Sequence, residues 1–304
     1  MADSPAPYSY DEFSMFHENA EEFGIPYAGP PTVERRSVAM DDGRQLSSLI
    51  WGTTPPELVL LHGGAQNAHT WDTVALALGR PLLAIDLPGH GHSDGGRHGA
   101  RNLADNADDV ATVITALAPE ARAVVGMSMG GMTTIALADR HPELVRRVVL
   151  VDVTPTVNAE SAQLITNFVR GPESFPDFDA ILARTVEHNP TRSIASLRRG
   201  ILHNALQRDD GSWVWRHARH RAEEPPEDGA TPAFGDLWEA VSRIGVPVML
   251  VRGMRPQSVV DDSGEAELRR RQPTARIEHV QEAGHSIQGD APVELAGLID
   301  DFVG

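Results

Sequence analysis

Between the apolar run ARAVV, residues 121–125, and the helix-like MTTIALADRH, residues 132–141, the chain places GMSMGG, residues 126–131. Glycines on both sides of Ser128 weaken either a strand or a helix, so packing alone does not account for them. A strand that turns tightly into a helix would lift the Ser128 hydroxyl clear of a sheet, with the glycines letting neighbouring backbone pass close by. A helix N-terminus behind it would favour developing negative charge. That is the setting of a nucleophile. A serine hydroxyl attacks poorly at neutral pH, so a base must take its proton and a third group must orient the base.

Of the 13 histidines, His285 is the best placed to be that base: it follows ARIEHV in a glycine-containing loop and precedes the helix-like VELAGLIDDFV. His62, His90 and His92 fall in short loop motifs and read as backbone supports. His217 and His220 stand three apart with no third ligand in view, so no metal is expected. Two places offer the acid. Asp152 ends the run RRVVLVDVTP, whereas Asp261 and Asp262 follow VPVMLVRG by several residues and look like the start of a helix. We read Asp152 as the acid, keep Asp261 or Asp262 as the alternative, and allow Ser258 as an auxiliary hydrogen-bonding group. A developing oxyanion needs preorganised donors. The backbone N–H of Met129 is the first, and the HGGAQ loop supplies the second through Gly64 or Ala65.

These residues need a scaffold. From Val33 onward, short β-branched runs alternate with helical patterns, indicating a mainly parallel sheet covered on both faces. TVERRSVAM and RQLSSLIWG, around Asp42-Gly43, read as an antiparallel hairpin at one edge. After Pro155 the rhythm becomes helical without convincing strands, and strands resume near residue 247. Such an insertion reads as a cap over the C-terminal edge of the sheet, where ligands of α/β folds bind. Phe13, Phe16, Ala20 and Phe23 line one face of a short helix in an N-terminal arm.

With LHGG at 61–64, DLPGHGHSD at 86–94, GMSMGG at 126–131 and GHS at 284–286, the chain resembles the α/β-hydrolase family over about residues 33–304. The resemblance implies an eight-stranded, mainly parallel sheet with helices on both faces and a helical cap after strand 6. The domains would then be an arm (1–32), a core (33–154 and 241–304) and a cap (155–240). Met127 stands where a histidine is common in the family, which bears on packing more than on chemistry.

The expected function is cleavage of a carboxylic ester, lactone or thioester through an acyl-enzyme on Ser128, without cofactor. Carbon–carbon bond hydrolysis of a diketone, or ligand binding without turnover, are the alternatives. Trp213, Trp215 and Phe168 of the cap could wall an apolar substrate pocket, although aromatic residues in an insertion also form its own core. Arg198 and Arg199 read as a solvated helix face. A formal charge of −17 argues against nucleic acid and anionic membranes as partners. No cysteine is present, which excludes disulfides and a thiolate nucleophile. The start MADSPAPYSYDEF lacks the basic and apolar regions of a signal peptide, and no run of 18 apolar residues occurs, so a soluble cytoplasmic protein is expected.

Overall fold

The computed structural model describes residues 10–95, 102–156, 167, 171–189, 192–217 and 234–304. The strands are β1 (Val33–Ala39), β2 (Gln45–Trp51), β3 (Leu58–Leu61), β4 (Leu82–Ile85), β5 (Ala123–Met127), β6 (Val148–Val151), β7 (Ser174–Phe175), β8 (Ala205–Gln207), β9 (Trp213–Trp215), β10 (Val248–Gly253) and β11 (Arg276–Val280). The helices are α1 (Phe16–Phe23), α2 (Asp72–Leu78), α3 (Leu103–Leu117), α4 (Met129–Arg140), α5 (Phe178–His188), α6 (Ile194–Asn204), α7 (Phe234–Arg243), α8 (Asp262–Arg271), α9 (Ile287–Asp290) and α10 (Pro292–Val303).

Eight strands form one sheet in the order β1-β2-β4-β3-β5-β6-β10-β11. From β4 to β11 every pairing is parallel. The β1–β2 pair is antiparallel and turns at Asp42-Gly43, where Gly43 has φ 87°. Its strands thus form the expected edge hairpin.

The inner strands are apolar on both faces because both are covered. Leu61, Ile85, Val124 and Leu150 point into one core beneath α3, α4 and α7. Their neighbours Leu60, Ala84, Val125 and Val151 point into the other, with Trp71, Leu295 and Ile299. Burial of each such leucine or isoleucine contributes about 1.5–3 kcal/mol. The sheet is covered on both sides.

The insertion between β6 and β10 differs in one respect from the sequence reading. Besides α5 and α6 it carries a three-stranded antiparallel sheet, in the order β7-β9-β8. These strands have two or three residues, and WVW is buried throughout, so no period of two was there to detect. Phe175, Ile181, Ile201, Leu202, Trp213 and Trp215 make a small separate core, which Met15 of the arm completes.

The arm thereby joins both parts of the molecule. Phe16 packs edge-on against Trp51 of β2 at 4.9 Å, and Gly24 ends α1 in the left-handed region. Toward the insertion, Asn19 accepts from Arg199 Nε at 3.0 Å, and Glu22 pairs with Arg199 and accepts from Ser193. Arg199 is therefore buried in this contact and not on the solvated face expected for it.

Candidate active site

Parallel pairing brings five loops to one edge of the sheet. In the register, Leu61 partners Gly126, Met127 partners Val151, and Val251 partners Val151 on its other side. The HGG loop, Ser128, Asp152, the segment after β10 and the loop after β11 therefore all leave at the same edge.

Ser128 has φ 51° and ψ −118°, the strained turn between β5 and α4. Its glycines are where backbone crosses backbone. A Cβ on Gly126 would strike Gly130 O and Thr134, and one on Gly130 would strike Leu61 O. Among the described residues, the non-glycine positions with positive φ are Ala65, Ser128 and Asp152, all at this edge. Met127 is buried in the core, its Sδ 2.5 Å from where a Cβ on Gly63 would sit, so here it acts as packing beneath the HGG loop.

Asp152 is fully buried and every lone-pair direction is used. Its Oδ1 accepts from Gly253 N at 3.0 Å and Ser258 Oγ at 2.6 Å. Its Oδ2 accepts from Val259 N at 3.0 Å and lies 2.9 Å from His285 Nδ1. A carboxylate there fixes the proton on Nδ1 and leaves the Nε2 lone pair of His285 available. Asp261, by contrast, caps α8, accepting from Gly264 N at 2.9 Å and Ser263 Oγ at 2.6 Å; these bonds hold its carboxyl below the usual range. Asp262 is exposed and pairs with Arg252 at 2.8 Å.

Three side chains shape the HGG loop. His62 Nδ1 donates to Gly63 O at 2.7 Å, and its Nε2 accepts from Leu87 N at 2.9 Å; burial keeps the ring neutral by lowering its pKa. His90 lies with Nδ1 3.0 Å from Pro88 O, and its Nε2 accepts from Ala65 N at 3.1 Å. Gln66 Oε1 accepts from Gly63 N at 3.1 Å. The N–H of Ala65 is thus engaged, while Gly64, exposed at the loop tip, has no hydrogen-bond partner for its N–H among the described residues. The Met129 N–H opens α4 directly after Ser128.

The family model described as alpha/beta hydrolase fold matches residues 56–292. The chain belongs to the α/β-hydrolase fold family. Esterase Rv0045c of Mycobacterium tuberculosis is 42% identical over 300 residues, covering 95% of this chain and 94% of its own. A solved structure of that esterase has a TM-score of 0.83 at 40% identity, covering 97% of this chain and 99% of the other. A pimeloyl-[acyl-carrier protein] methyl ester esterase of Nitrosomonas europaea is 29% identical over 258 residues, covering 81% and 94%.

In this α/β hydrolase, Trp213 and Trp215 are buried within the insertion, edge-on to Phe178 at 5.1 Å and to Phe175 at 6.0 Å respectively. They form its core rather than an open pocket wall. Phe168 and His220 lie outside the described residues. Asp86 of the DLPGHGHSD motif is a buried hub, accepting from Ala68 N, His92 N and Arg35. One group among the described residues, His69, Asp72 and His203, brings three metal-type ligand atoms within 4.8 Å of one another. His69, however, lies between two carboxylates, with Nδ1 2.9 Å from Asp72 and Nε2 3.2 Å from Glu12. Its ring also stacks on that of His203 at 3.9 Å, so their in-plane lone pairs run side by side and do not converge. No helix among the described residues is long and apolar enough to cross a membrane.

Proposed function

We propose that the chain hydrolyses a carboxylic ester of a small molecule through Ser128, His285 and Asp152. The observation that carries this is the His285–Asp152 hydrogen bond at the sheet edge where the strained Ser128 turn also lies. The 42% identity to an esterase over nearly the whole chain supports the same bond type.

In this reading His285 Nε2 takes the Ser128 proton as Oγ attacks the ester carbonyl, and Asp152 stabilises the imidazolium that forms. The tetrahedral oxyanion is held by the N–H groups of Met129 and Gly64, each typically contributing about 3–4 kcal/mol of barrier lowering. His285 returns the proton to the departing alcohol, and a water activated by the same base releases the acyl group. Cytoplasmic residence is part of the proposal, to be tested by cell fractionation.

Hydrolysis of p-nitrophenyl esters across acyl lengths is the direct test. Wild type should turn over, and Ser128→Ala should lose a factor of roughly 10⁶ in kcat. A wild type that hydrolyses no ester and is not labelled by a fluorophosphonate would leave the fold as a binding scaffold. Labelling without ester turnover would point to diketones instead.

A further inference from the structure

A cavity of about 100 Å³ lies between α6, the segment leading into α2 and the turn after His285. Its wall includes Gln66, Gln288 and Arg192. Arg192 is unusual in its setting. Its only side-chain hydrogen bond among the described residues runs from NH2 to Ser196 Oγ at 2.5 Å, and its buried Nε has no partner. No carboxylate lies within ion-pair distance of it among the described residues, and burial lowers its pKa. The nearby acid Asp290 is engaged elsewhere, accepting from Gly284 N at 2.9 Å.

A guanidinium largely withdrawn from water without an ion-pair partner is costly, even with Asp290 and Glu22 acting on it at longer range, and such groups are ordinarily paired. The surroundings hold it in place. A Cβ on Gly289 would lie 2.9 Å from its Cζ, so the absent side chain at 289 is the space the guanidinium fills. Gln288 is buried, donates weakly to Gln66 and Thr70 at 3.4 and 3.3 Å, and leaves its own Oε1 without a partner. The other cations on the wall are already paired, which leaves Arg192 as the one without an ion-pair partner among the described residues. Arg192 is joined by Arg199, which Glu22 and Glu18 approach, and by His69, against Asp72 as the one carboxylate lining the cavity.

One residue of the wall reaches the HGG loop, where Gln66 Oε1 accepts from Gly63 N at 3.1 Å. Gln66 Oε1 and Ser128 Cβ lie 3.2 and 3.3 Å from the same point beside Gly63. Gln288 follows His285 by three residues on α9.

We propose that this cavity is an anion subsite, in which the Arg192 guanidinium takes the carboxylate of the substrate, so that the chain acts on esters carrying a second, free carboxylate. The inference rests on the serine-hydrolase reading above. A guanidinium can offer two parallel N–H bonds to a planar carboxylate, and the Nε donor of Arg192 has no partner. Half-esters of short dicarboxylic acids fit this description.

The test compares mono-p-nitrophenyl succinate, glutarate and adipate with neutral p-nitrophenyl esters of matched length, in wild type and in Arg192→Met and Arg192→Lys. Wild type should favour one half-ester in kcat/KM, chiefly through KM, with the best chain length measuring the span from Arg192 to Ser128. Arg192→Met should lower that preference ratio by about 10- to 100-fold, and Arg192→Lys should restore part of it. Because the ratio is taken within each variant, loss of folded protein cancels. Equal ratios in wild type and Arg192→Met would overturn the proposal.

Glutarate binding to Ser128→Ala, followed by calorimetry, reads the site without turnover. Arg192-dependent binding supports the subsite even if no ester is cleaved, which would count against the serine-hydrolase reading alone. Glutarate that binds wild type without competing against a neutral ester would overturn the assignment to substrate.

Discussion

At the scale of single residues, the two candidate acids make opposite demands. Asp152 is fully buried with four donors around it, whereas Asp261 caps a helix at the surface. Asp152→Asn should therefore lower kcat by roughly 10³–10⁴, since an amide no longer enforces the productive tautomer of His285. Asp261→Ala should leave kcat near wild type and reduce stability by about 1 kcal/mol through loss of the cap. Ester kinetics and a denaturant titration on the two variants separate the roles. A collapse of kcat in Asp261→Ala alone would overturn the assignment. Ser128 and His285 stood out in the sequence because turn chemistry is local: glycines at fixed offsets mark an elbow wherever they occur. The acid did not, because two strand ends were eligible and only the pairing of β6 with β10 shows which carboxylate His285 meets. Arg192 escaped notice because its significance is the lack of an ion-pair partner among the described residues, and ion pairs are not written in a sequence.

At the scale of elements, the HGG loop proposed to hold the oxyanion is set by its neighbours. Its second donor was open between Gly64 and Ala65 on sequence grounds, and the His90 bond to the Ala65 N–H leaves Gly64 as the available one. A Cβ on Gly64 would meet nothing within 4 Å, so Gly64→Ala keeps both the space and the N–H. Gly64→Pro removes the donor and should fall about 10²–10³ below Gly64→Ala in kcat. Near-equal rates for the two variants, at equal folded fraction, would exclude Gly64 from the oxyanion hole. The sheet itself was legible because covered parallel strands leave unbroken apolar runs. The small sheet of the insertion was not, because strands of two or three residues are fixed by tertiary contact and not by their own pattern.

At the scale of the whole molecule, the N-terminal arm ties the insertion to the core through charge as well as packing. Tyr10 OH lies 2.6 Å from His203 Nδ1, and Glu12 accepts from Arg35 Nη2 at 2.7 Å while contacting His69. Burial opposes charge on His69, but Asp72 and Glu12 outweigh it and raise its pKa from 6.5 to about 9. Burial likewise opposes charge on Glu12, yet His69 and Arg35 hold it down at about 2, so it stays ionised at neutral and alkaline pH. A raised histidine pKa stabilises the folded state fully below the unfolded value and loses that contribution as pH rises through the folded one. The wild-type denaturation midpoint should fall between pH 6.5 and 9 more steeply than that of His69→Gln. Parallel slopes for the two proteins would show that His69 carries no such charge.

Among the described residues, the three left-handed non-glycine positions, Ala65, Ser128 and Asp152, put conformational tension where the chemistry is proposed. Each costs on the order of 1–3 kcal/mol and persists because the surrounding packing enforces it. Folding and turnover therefore pull in different directions at these positions, since a glycine at 128 or 152 would relax the turn while removing the working side chain. A lineage of this chain released from catalysis would keep its sheet and let these residues drift first.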